Sequence, residues 1–151
     1  PNLLNALESK TAAAVRGTIS SASNIAQALL IKAYSSDTYE KEKRTQFAVL
    51  QKRYKKVNKI LAAHPEYKQE FIPLPFNSGY FMCVKLLHAD SEKVRQKLLT
   101  DYSIGVIATG NLIRLAFSST PTDQLDRLFD GLYKAAISLK HNKNTSTNHL
   151  N

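Results

Sequence analysis

Around Pro65 the chain changes its hydrophobic period, and that change limits the fold more than any other feature. Before it, apolar residues recur at spacings of three and four, the repeat of an amphipathic helix. After Phe71 they come in short runs bounded by Pro, Gly, Asn and Ser, which is the pattern of strands. The first part therefore predicts helices alone. An alanine-rich stretch from Asn2 to about Val15 is closed by Arg16-Gly17. The polar break Ser20 to Ser23 offers N-caps for a second helix, with Ile25, Ala26, Leu29, Leu30 and Ala33 on its apolar face. Asp37 with Glu40 opens a long third helix that runs to about His64 and is stopped by Pro65, with Phe47, Leu50, Tyr54, Val57 and Leu61 as its buried stripe.

The second part alternates. A strand from Tyr80 to Leu86 is apolar on both faces and implies a sheet covered on both sides. Ser91 caps a short helix that turns Val94, Leu98 and Leu99 inward and ends near Tyr102. Gly105 to Ala108 and Leu112 to Ser118 form an antiparallel hairpin across Thr109-Gly110-Asn111. Thr120 to Asp123 starts a last helix that buries Leu125, Leu128, Phe129, Leu132 and Ala136. The expected class is α/β, an α+β small domain in which long N-terminal helices lead to a three-stranded sheet flanked by helices. Its expected divisions are a helical segment 1–35, the small domain 36–139, and a polar, disordered tail 140–151. Because the first helices have no sheet of their own to cover, they are expected to pack against something outside this chain.

With 151 residues, 43% of them hydrophobic, the chain has material for one ordinary core. No apolar run approaches the length a bilayer requires, and the first residues lack the pattern of a signal peptide. A single cysteine, Cys83, has no internal disulfide partner and is expected in the core. It fits a reducing compartment, and the expected location is cytoplasmic. The formal net charge of +9 raises a nucleic-acid reading, because eight of the 21 cations fall between Lys41 and Lys59. A basic nucleic-acid-binding module using that helix is the alternative function. No stacking platform, glycine-rich loop or metal finger accompanies the charge, so a solvated helix face is expected, with no nucleic-acid partner and no membrane partner.

Catalytic patterns are missing. His64, His88, His141 and His149 are scattered, and no dinucleotide, phosphate-loop or nucleophile-elbow glycine pattern occurs, nor any pair of carboxylates of the glycosidase kind. Neither a catalytic residue nor a metal site is assigned. What stands out is Arg114. In a period-2 strand it shares a face with Leu112 and Ala116, with no acidic residue within several positions. Its partner is then either a remote Asp or Glu in a structural ion pair or a carboxylate ligand.

Four segments in register resemble the C-terminal part of fold-type I, pyridoxal-phosphate-dependent aminotransferases of class I/II, the aspartate and aromatic group. They are Arg16-Gly17-Thr18 with the polar stretch to Asn24, Pro73-Leu74-Pro75-Phe76-Asn77-Ser78-Gly79-Tyr80-Phe81, Tyr102 with Gly105-Val106-Ile107-Ala108, and Asn111-Leu112-Ile113-Arg114-Leu115-Ala116-Phe117. The resemblance covers nearly the whole chain except the tail. It implies that Arg114 grips the α-carboxylate of an amino acid, that Asn77, Ser78 and Gly79 border the substrate pocket, and that Arg16 reaches a distal carboxylate in the partner subunit's site, which would favour an acidic substrate. It also implies amino acid and 2-oxo acid substrates, a homodimer for the full-length protein, and pyridoxal 5'-phosphate held by a large domain that would precede Pro1. Neither Lys10 nor Lys32 has the surroundings of the family's Schiff-base lysine. The chain by itself is therefore expected to be inactive, with no cofactor-binding residue of its own.

Overall fold

A computed structural model describes residues 2–20, 23–77 and 79–145, the last five of these by backbone alone. Ser78 and the end of the expected tail, 146–151, lie outside the described residues. The chain divides into two compact units, Pro1–Arg44 and Thr45–Asn151.

The first unit holds α1 (Asn2–Thr18) and α2 (Asn24–Tyr34). Ser23 caps α2 as its sequence suggests, its hydroxyl accepting from the Ala26 amide. Neither helix has a buried residue, and Leu3, Leu4, Ile25, Leu29, Leu30 and Ile31 are all exposed. The long helix α3 spans Tyr39–Ala63, beginning two residues after Asp37. Only its C-terminal part meets a core: Val57 and Ile60 are buried, Tyr54 and Leu61 pack beside them, and Phe47 is 56% exposed. The expected stripe is thus correct in period but too long, because the residues that could cover it begin to pack only at Tyr54.

The second unit is built on a four-stranded antiparallel sheet: β1 (Phe71–Pro73), β2 (Met82–Leu86), β3 (Ile107–Thr109) and β4 (Leu112–Leu115), in the order β1-β2-β4-β3. The expected count of three misses β1, which is three residues long and ends in proline, too short to show a period. Between β2 and β3 lies α4 (Ser91–Tyr102), and after β4 a short 3₁₀ turn leads into α5 (Leu125–Thr145). Asp90, not Ser91, caps α4, accepting from the Lys93 amide. The Ser91 hydroxyl is buried and donates to the Gly110 carbonyl at 2.5 Å, tying the start of α4 to the β3–β4 turn. Gly110 has φ +60°, which a side chain would strain.

Met82, Val84, Leu86, Ile113 and Leu115 point to one face of the sheet and join Val57, Val94, Leu98, Leu125, Phe129 and Leu132 in a single core. The expectation of a sheet covered on both sides is therefore wrong for this chain. All three helices of the unit contribute to that one core, and the opposite face, with Cys83 half-buried and Lys85 and Arg114 exposed, is left open. Leu99, expected inside, is 53% exposed, since it lies one residue past the inward-facing Leu98. The last helix buries its five expected residues and also Ala135.

Several cations of the second unit serve the fold. The Arg53 guanidinium donates to the Ser118 carbonyl just beyond β4, and Lys56 pairs with Asp126 of α5 at 2.6 Å.

Candidate functional site

The open sheet face is the place where chemistry could occur. Alternation along β4 buries Ile113 and Leu115 and so turns Arg114 outward between them. Antiparallel register places Arg114 opposite Cys83 on β2 and Ile107 on β3. Phe81 and Lys85, two residues either side of Cys83, are its diagonal neighbours on the same face. The Phe81 ring lies beside the cation, with the guanidinium carbon 4.6 Å from its centroid. Among the described residues no carboxylate lies within ion-pair distance of Arg114. This removes the remote structural ion pair as its partner. It also corrects the picture of a cation buried among apolar residues: Arg114 is exposed, so holding its charge costs little.

Beside this face lies a cleft of about 540 Å³ lined by Leu74, Pro75, Phe76, Asn77, Phe81, Met82 and Cys83. Its wall follows from β1 pairing with β2, extended by the Leu74 amide donating to the Cys83 carbonyl at 2.9 Å. Phe76 anchors the wall from behind, packing edge-on against both Tyr54 and Phe117. Cys83, expected in the core, is half-buried and lines the cleft, because the strand residues on either side of it take the inward positions.

The sequence-predicted residues fall as follows. Asn77 is exposed at the cleft, and its side-chain oxygen accepts from the Gly79 amide at 3.0 Å. A Cβ on Gly79 would stand 3.0 Å from that same oxygen, so a side chain there would make the Asn77 amide give by a few tenths of an ångström. Ser78, between them, is outside the described residues. Arg16 belongs to the other unit, is exposed, and donates to the Ser20 hydroxyl at 3.3 Å. Phe81 and Cys83 were not singled out as site residues. Their period-2 spacing was visible, but only the β2–β4 register brings them next to Arg114.

No group of His, Cys, Asp and Glu among the described residues could hold a metal ion. The lysines up to Lys140 are exposed or half-buried, and none of them lines the cleft. No helix among the described residues is long and apolar enough to cross a membrane.

A family model described as Aminotransferase class I and II matches residues 5–132 of the chain. No curated protein sequence matches it.

Proposed function

The chain belongs to the aminotransferase class I and II family, and we propose from that premise that it is the carboxylate-recognising part of a transaminase. The observation that carries the reading is Arg114, a guanidinium exposed on an open sheet face, beside a cleft, with no carboxylate within ion-pair distance among the described residues. A planar fork of N–H donors receives a carboxylate through two parallel hydrogen bonds, fixing orientation as well as charge. In an amino acid or a 2-oxo acid that grip holds the acid end and so aims the reacting carbon. Asn77 lines the same cleft and accepts a hydrogen bond from the Gly79 amide, and in this reading Arg16 is the candidate for a distal carboxylate.

Members of this family generally use pyridoxal 5'-phosphate, and the residues of this chain do not fit it. The lysines up to Lys140 are exposed or half-buried, and five of them, Lys43, Lys56, Lys97, Lys134 and Lys140, are engaged by carboxylates. In this reading residues 36–139 are the small domain and 1–35 a helical segment of the large one. The exposed apolar side chains of α1 and α2 support a packing partner of that kind.

The test is a titration of the 151-residue chain with acetate and with an amino acid and its 2-oxo acid, following the side-chain Nε–Hε signal of Arg114 by NMR. A shift at Arg114 exceeding that at the exposed Arg44 is expected at carboxylate concentrations on the order of 100 mM, since an exposed pair contributes about 1 kcal/mol or less. Equal, featureless responses from both arginines would remove the reading. Incubation with pyridoxal phosphate followed by borohydride should leave no single lysine stoichiometrically modified.

A further inference from the structure

We propose that Phe81 is a positioning residue that holds the Arg114 guanidinium ready for a carboxylate, an inference that rests on the carboxylate role given to Arg114 above. Phe81 is 50% exposed, whereas Phe71, Phe117 and Phe129 are fully enclosed in the core. Its ring is therefore not spent on holding the fold together. The ring contact found for it is the Arg114 cation, at 4.6 Å.

The strand register explains the choice of neighbour. Arg114 faces Cys83, and its diagonal neighbours are Lys85 on β2 and Phe81, the residue just ahead of that strand. Lys85 carries like charge and disfavours the guanidinium on its side. Phe81 presents a ring that attracts a cation through its quadrupole. The attraction makes no demand for a particular N–H, so the fork keeps its donors for a ligand. A carboxylate in the same place would have satisfied them and competed with substrate. An arginine side chain free to swing would have to give up that freedom on binding. One already held gives up less.

The experiment replaces Phe81 in the 151-residue chain with a series of progressively fluorinated phenylalanines, which weaken the ring's quadrupole while keeping its shape. Phe81→Leu and Phe81→Tyr are made alongside, and the amide spectrum of each variant checks the fold. The readouts are the Nε–Hε order and hydrogen exchange of Arg114, followed by its response to acetate. Loss of an exposed cation–π contact should reduce the held population, and the acetate affinity with it, by about two- to fivefold. The effect should grow with fluorination, appear in Phe81→Leu, and be absent in Phe81→Tyr.

Unchanged order across the fluorinated series would overturn the proposal. So would an Arg114 in the native chain as disordered as Arg44. If fluorination loosens Arg114 while acetate leaves its signal unmoved in every variant, the holding contact stands and the carboxylate role is what fails.

Discussion

The Lys140 ammonium lies 2.9 Å from Oε1 of Glu70, a carboxylate that keeps only 5% of its surface and whose second oxygen is buried without a partner. The pair joins the residue just before β1 to the last helix, 70 positions away in sequence. Lys140→Met should cost about 1–3 kcal/mol, because it strands a buried acceptor rather than merely deleting a contact. Glu70→Leu combined with Lys140→Met should recover most of that loss, since neither partner is then left alone. Urea unfolding of the two singles and the double measures the coupling. Simple additivity would show that the pair contributes nothing.

Tyr67 has an alkaline consequence. It is buried against Phe71, Tyr133 and His64, and that burial, with Asp130 and Glu66 nearby, pushes its phenol up to about 12 from 10.0. Below pH 10 both folded and unfolded chains keep the proton and its contribution is intact. Between pH 10 and about 12 the unfolded chain releases a proton that the folded chain retains, so stability falls as pH rises. Phenolate absorbance should show a component ionising near pH 12 in the folded chain, and Tyr67→Phe should remove it. A native chain whose tyrosines all titrate near 10 would contradict this.

Asp90 and Ser91 are adjacent but do different work. Asp90→Ala removes a helix cap and should cost about 1 kcal/mol. Ser91→Ala removes the buried bond to the Gly110 carbonyl and should cost about 1–2 kcal/mol. Amide exchange distinguishes them: the first should loosen the opening turn of α4, the second the β3–β4 hairpin that carries Arg114. Identical exchange patterns would show that the serine does not support the hairpin.

Much of this architecture was readable from periodicity. The capping serine of α2, the end of α4 at Tyr102, the β3–β4 hairpin and the buried face of α5 all have local causes that a window of residues contains. The misreadings have non-local causes. Whether Phe47 or Leu99 is covered depends on where other elements end, and whether a sheet face is covered depends on how the helices divide between its two sides. Arg114 stood out as a cation in an apolar strand, but its exposure and its neighbour Phe81 follow from a pairing register that no single segment encodes. The family-like segments pointed to the correct family, yet the roles of Asn77, Gly79 and Arg16 rest on that likeness.

Alternation along β2 and β4 has a final consequence. Two outward side chains at the site are flanked by neighbours locked inside the core: Cys83 by Met82 and Val84, and Arg114 by Ile113 and Leu115. The cation and the cleft wall are thus fixed to a common stiff plate, and neither can drift without disturbing the interior. Retuning what this surface accepts is therefore expected to proceed through the turn ahead of β2, whose shape can vary while the anchor stays put.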